Sequence, residues 1–190
     1  MQQEAKKYPH TSPFTLQMGM WLLMLTVSLL FGAFTYAFMW LPPIEGFALR
    51  VPTPFYVSTL TLLASSFLLH RGWFNNKDSE LKNGFYYSLI FGIVFLCIQG
   101  YAWYELFLQQ GSVEALAEEE QRRGFLLPFQ YLYLLSGMHA LHLIGGLGFL
   151  IYVYAKWEEK KERYAEVAVY FWHFLGILWI FLLGVLLLKL

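Results

Sequence analysis

Five runs of apolar residues, separated by short polar stretches, dominate the chain. A helix needs ~20 consecutive apolar residues to cross the hydrocarbon of a bilayer. Residues 16–40, 52–70, 84–108, 126–155 and 167–189 come to about that length, with side chains that are almost all apolar or neutral. Pro42, Pro43, Pro52 and Pro54 close the first run and open the second, because a helix does not continue across residues that lack an N–H and crowd the preceding turn. Asn75, Asn76, Lys77 and Asp78 form a polar turn after the second run. GSVEALAEEEQRRG, 111–124, reads as a charged loop with room for a short surface helix, and KWEEKKER, 156–163, links the fourth run to the fifth. The loops are too short for a further domain and no internal repeat is visible. The pattern predicts one all-α membrane domain over residues 1–190, a bundle of five transmembrane helices.

Composition sharpens this picture. The chain is 58% hydrophobic, 20% aromatic and 14% charged, against about 25% charged in an ordinary soluble domain. Net charge is zero, which gives no reason to expect a nucleic-acid partner. The single cysteine, Cys97, has no mate for an intrachain disulfide or a cysteine-rich metal site. The first apolar run is longer than a signal-peptide core and reads as a mature helix. Orientation follows from Lys and Arg near the span ends. Lys6, Lys7, Arg71, Lys77, Lys82, Lys156, Lys160, Lys161 and Arg163 fall on one side, and Arg50, Arg122, Arg123 and Lys189 on the other. The expectation is a cytoplasmic N-terminus and an outside C-terminus, in a bacterial inner membrane.

Polar groups inside hydrocarbon are costly and usually mark a ligand site, a proton path or a helix contact. Ser136, His139 and His142 recur at three-residue spacing in the fourth run, so they share a helix face continued by Gly146. Gly145 and Gly148 nearby remove bulk and favour close approach of a neighbouring helix. His173 lies early in the fifth run. A b-type haem would take axial ligands from two helices, for which His139 or His142 with His173 is the available pair. No carboxylate stands beside them to orient a ring or complete a metal shell. The preferred reading is neutral imidazoles hydrogen-bonded to neighbouring helices or a lipid head group. Glu105, the one acidic residue within the five runs, is expected at the outer interface with Tyr101, Trp103 and Tyr104 rather than in a proton relay. The serines and threonines have no base beside them and are expected to bond carbonyls one turn back. No broken half-helices or repeated halves point to transport.

Taken in order, these positions resemble subunit III of the haem–copper oxidases in its short, five-helix bacterial form. Gly137, His139, His142 and Gly146 (or Gly145) match a Gly-x-His-x-x-His-x-x-x-Gly helix, and Trp172, His173, Phe174 and Trp179 match a Trp-His-Phe helix with a second Trp downstream. Gly19, Met20 and Trp21 are similar to the family's opening helix. Ser58, Thr59, Ser65 and Ser66 are similar to its hydroxyl-bearing second helix, and Gln99, Trp103 and Tyr104 to the Gln-and-aromatic third. Three places where the family commonly carries a buried acid are neutral here: Val27, Ala102 and Gly176. That departure counts against a proton-conducting role for those positions and leaves a quinol oxidase or a nitric oxide reductase as alternative assemblies.

The resemblance implies a non-catalytic accessory subunit of a respiratory terminal oxidase, with no catalytic residue, haem or copper of its own. Haem and copper would sit in subunit I, its partner together with other respiratory-complex subunits and phospholipids. His139, His142, Trp172, His173, Gln99, Trp103 and Trp21 become structural or lipid-cleft positions. A free-standing b-type cytochrome is the reading of a different class.

Overall fold

The computed structural model describes residues 13–41, 51–75, 77–116 and 122–189. Lys6, Lys7, Pro42, Pro43, Arg50 and Asn76 lie outside the described residues, as do residues 117–121. The described residues form α1 (Pro13–Met39), α2 (Thr53–Phe74), α3 (Asp78–Leu116), α4 (Arg122–Ala155) and α5 (Trp157–Lys189). Thr53 and Pro54 occupy the first helical positions of α2, where proline's missing N–H has no intrahelical acceptor to lose.

Helices replace loop at three places. α3 runs on through Leu116 and α4 begins at Arg122, so most of the expected charged loop is helical. α5 starts at Trp157, and only Lys156 separates it from α4. Trp157 explains the early start: it is buried with its ring edge-on to Phe85 at 5.3 Å, which anchors the first turn of α5 against α3. With 39 residues at a rise of ~1.5 Å each, α3 is longer than the ~30 Å hydrocarbon, and its ends project beyond it.

α1, α3, α4 and α5 are each long and apolar enough to cross a membrane, so this is a multi-pass membrane protein. α2 is absent from that set. Thr53, Ser58, Thr59, Thr61, Ser65, Ser66, His70 and Arg71 lower its hydropathy, although the run was expected to be a span.

Buried positions repeat at alternating three- and four-residue steps. In α2 they are Phe55, Ser58, Leu62, Ser65, Leu69 and Gly72, and in α3 Phe85, Ser88, Gly92, Phe95, Gln99, Ala102 and Leu106. α4 continues the rule with Phe129, Leu132, Ser136, His139, Leu143 and Gly146, and α5 with Ala165, Ala168, Trp172, Leu175 and Trp179. A 3.5-residue repeat keeps one seam facing its neighbour along the whole helix. Many of these positions are small or polar, as expected where lipid is as apolar as the core and packing rather than hydrophobicity joins helices.

Cross-helix pairs fix the topology. Ser65 meets Ser88 and Ser58 meets Gln99, so α2 and α3 are antiparallel. Trp103 meets Ser136 and Phe95 meets His139, making α3 and α4 antiparallel. Phe149 meets Tyr164 and His139 meets Trp179, making α4 and α5 antiparallel. Phe31 meets His142 and Phe38 meets Tyr131, which sets α1 against α4 in the same way. α1 packs on α4 and α5, while α5 also packs on α2.

Two glycines let α2 and α3 approach to backbone contact. A Cβ on Gly72 would lie 2.6 Å from the Glu80 carbonyl oxygen, and one on Gly84 3.1 Å from that of Leu68. In α4 the close-packed glycine is Gly146, where a Cβ would come within 2.8 Å of Leu175. Gly145 and Gly148, expected to admit the neighbouring helix, have open space at that position. The seam's period places Gly146, not its neighbours, toward α5.

Candidate functional site

Buried polar residues concentrate where α2, α3, α4 and α5 meet. Trp172 and Trp179 stand seven residues apart on the seam of α5, so both indoles face the same way. Trp172 Nε1 donates to Ser65 Oγ and Trp179 Nε1 to Thr59 Oγ1, each at 2.9 Å. On the other side of the cluster, Trp103 Nε1 donates to Ser136 Oγ at 2.9 Å, joining α3 to α4. Ser136 in turn donates to the Leu132 carbonyl one turn back at 2.7 Å. Ser65 and Ser88 each donate to the other's carbonyl, at 3.4 and 3.1 Å. Ser58 Oγ donates to the Phe55 carbonyl at 2.9 Å and lies 3.4 Å from the Gln99 amide oxygen.

His139 is fully buried in this cluster. Its ring lies 5.0 Å from that of Trp179 and meets Phe95 edge-on at 6.0 Å. Neither ring nitrogen has a hydrogen-bond partner among the described residues. His142 Nδ1 bonds the Met138 carbonyl of its own helix at 2.7 Å and presents a ring edge to Phe31 of α1. His173 faces α2, its ring 5.7 Å from that of His70.

The imidazoles were expected to hydrogen-bond to neighbouring helices or to a lipid head group; among the described residues, the side-chain bonds that join helices around this cluster come from indoles and hydroxyls. The physical reason is reach. An indole N–H projects from a large ring that spans the gap between helices, while a seam imidazole against Trp and Phe is enclosed by ring faces and edges. A pair of substitutions separates the two kinds of hydroxyl. Ser65→Ala removes the acceptor of Trp172 and the bond donated to the Ser88 carbonyl, and is expected to destabilise the bundle by ~0.6–2 kcal/mol. Ser28→Ala removes only a bond to the Met24 carbonyl of its own helix and is expected to change stability by less than ~0.5 kcal/mol. Denaturation midpoints in detergent micelles measure both.

The remaining candidates are dispersed. Gln99 is buried, and its amide nitrogen has no hydrogen-bond partner among the described residues. Trp103 is half-buried between α3 and α4, whereas Trp21 is 59% exposed on the outer face of α1. Glu105 lines a shallow groove with Thr53, Pro54 and Cys97 and bonds Tyr101 one turn back. Val27, Ala102 and Gly176, the neutral replacements for acids, are all buried. Among the described residues no three His, Cys, Asp or Glu side chains gather as metal ligands.

Two features were not singled out in the sequence. An apolar groove of about 500 Å³ runs between α1 and the α4–α5 pair, lined by Leu16, Gly19, Met20, Gly145, Phe149 and Phe171. Near it, Gln17 Nε2 donates to Glu166 at 3.4 Å, tying α1 to α5. Glu166 sits next to the fifth apolar run and Gln17 inside the first, so both polar residues were available as signals.

No protein-family model matches the chain. Over 135 residues, 67% of this chain and 62% of the other, it is 31% identical to a probable cytochrome c oxidase subunit 3 of Mycobacterium leprae (strain TN). It is 28% identical over 149 residues (74% and 67%) to the probable cytochrome c oxidase subunit 3 of Nocardia farcinica. To the cytochrome c oxidase subunit 3 of Synechocystis sp. it is 29% identical over 137 residues, covering 66% of this chain and 52% of that protein. The chain thus spans between about half and two thirds of the length of these curated relatives.

Proposed function

From the premise that this chain is a homologue of cytochrome c oxidase subunit III, we propose that it is the accessory subunit III of a respiratory haem–copper terminal oxidase. The similarity over most of the chain to bacterial proteins of that name carries the reading. In it the chain is one membrane domain of five spans, cytoplasmic at its N-terminus, in a bacterial inner membrane. α2 completes the count because its bonds to α3 and α5 occupy its hydroxyls along the bundle's length.

The chain performs no redox step. It packs beside the catalytic subunit, sustains that subunit's fold and proton uptake, and holds phospholipid. The groove between α1 and the α4–α5 pair supports the lipid role: its walls are apolar and its two glycines, Gly19 and Gly145, leave room for acyl chains. Haem and copper belong to the partner. The pairing of His139 or His142 with His173 is not supported, since these three turn toward α5, α1 and α2 respectively, whereas two axial ligands must converge on one ring.

Copurification is the test. A tagged chain, gently solubilised, is expected to bring down a haem–copper oxidase core; isolation without any such partner overturns the proposal. The same preparation identifies whether the core takes electrons from cytochrome c or quinol, or reduces nitric oxide. His139→Ala is expected to weaken assembly or prolonged turnover while the partner's haem spectrum stays unchanged. Loss of a haem band in that variant would point to the b-type cytochrome.

A further inference from the structure

We propose that His70 and His173 form a binding site for a divalent transition-metal ion in the cleft between α2 and α5. The cleft has a volume of about 380 Å³ and is lined by Ser66, Phe67, His70, His173, Gly176 and Ile177, with Leu63 and Ile180 at its far end. It is separate from the buried cluster and from the groove beside α1. His70 stands four residues beyond Ser66, so both project into it from one face of α2.

The local structure holds the two rings in place. Trp172, the neighbour of His173, is locked by its 2.9 Å bond to Ser65, which fixes the rotation of α5 against α2. His173 therefore faces the next position along, Ser66, and its neighbour His70. Phe74 stacks on the His70 ring at 6.4 Å. Gly176, one turn past His173, keeps the floor clear; a Cβ there would come within 3.2 Å of Ser66 Oγ.

The chemistry then follows from the nitrogens. His173 Nε2 is buried and has no hydrogen-bond partner among the described residues, and the ring of His70, which lines the same cleft, lies 5.7 Å away, centroid to centroid. One ion bonded at ~2.0–2.1 Å to a nitrogen of each ring puts the ring centres roughly 5–6 Å apart. Imidazole suits zinc, copper and nickel. The cleft leaves room for water or small anions to complete the shell. Two protein donors are fewer than the three or four of catalytic and structural zinc sites, so the bound ion exchanges readily. Its effect is to clasp α2 to α5 near the end of α2.

The experiment uses this chain alone and is independent of the oxidase assembly. Cys97→Ser, which removes the thiol, serves as parent in lipid nanodiscs, and Zn²⁺ is titrated calorimetrically with thermal unfolding followed in parallel. The parent is expected to bind one Zn²⁺ at this site and to unfold at a higher temperature with it. His70→Ala, an exposed position tolerant of change, and His173→Ala should each weaken binding by about tenfold or more, as one of two protein donors is lost. They should also abolish the thermal shift, while His142→Ala keeps both. Ser66→His adds a third imidazole to the same helix face and should tighten binding. Equal Zn²⁺ affinity in the parent, His70→Ala and His173→Ala overturns the site.

Discussion

Trp179→Ala should cost the bundle ~3–5 kcal/mol, the range for truncating a fully buried aromatic, and show as a large drop in the denaturation midpoint of the chain in micelles. The size follows from how many elements meet at this ring. Phe55 of α2 stacks on it at 5.8 Å, Phe95 of α3 meets it edge-on at 5.1 Å, and His139 of α4 lies 5.0 Å away. Its N–H holds Thr59. Alanine leaves a void shared by four helices, which cannot collapse from one side without opening another. Trp179→Phe separates packing from hydrogen bonding: it retains a ring, loses the N–H and should cost nearer ~0.6 kcal/mol, the average for an interhelical bond in a membrane bundle. If alanine costs no more than phenylalanine, Trp179 is not the packing centre described.

Gly72→Ala is expected to be the most damaging single-methyl change. Its Cβ would lie 2.6 Å from a backbone oxygen and 3.1 Å from the Leu81 Cα. Neither atom can turn aside as a side-chain end can, so α2 and α3 must separate along the hairpin. Overpacking of this kind typically costs ~1–3 kcal/mol, which outweighs the ~0.5–1 kcal/mol that alanine gains over glycine in a helix. Gly100→Ala supplies the opposite sign. Nothing lies within 4 Å of that position, so only the helix-propensity gain remains, up to ~1 kcal/mol. Midpoints measured side by side in the same detergent should move in opposite directions. A harmless Gly72→Ala would mean that α2 and α3 do not touch at their backbones.

Hydropathy in the sequence located the apolar helices α1, α3, α4 and α5 well, because length and composition alone identify a stretch that can cross hydrocarbon. It was less able to locate where helices end. Asp78 to Asn83 and Trp157 to Arg163 are polar enough to read as loop, yet both stretches are helical, since water-facing turns of a long helix need no apolar residues. Which face is buried was hidden for a related reason: exposed Leu22, Leu29 and Ile144 are as apolar as buried Leu62, Leu143 and Leu175. The signal lay instead in the small and polar residues at three- and four-residue steps, such as Ser58, Ser65 and Gly72.

In the candidate site, the residues were legible and their pairings were not. His139, Trp172, His173 and Gln99 were identifiable as polar or aromatic positions in apolar helices. That Trp172 binds Ser65, and that His173 meets His70 rather than a histidine of α4, depends on the rotation of α5. That rotation is set by packing against three other helices.

The hydroxyl-rich character of α2 has a consequence for how the chain is made. α2 precedes α3 and α5 in the chain and is the one described helix outside the set long and apolar enough to cross a membrane. Two of its hydroxyl residues, Thr59 and Ser65, take partners on α3 and α5: Ser88, Trp172 and Trp179. These partners of α2 are therefore in place only once α3 and α5 have been synthesised. The packing of α2 is thus completed out of step with its order of translation.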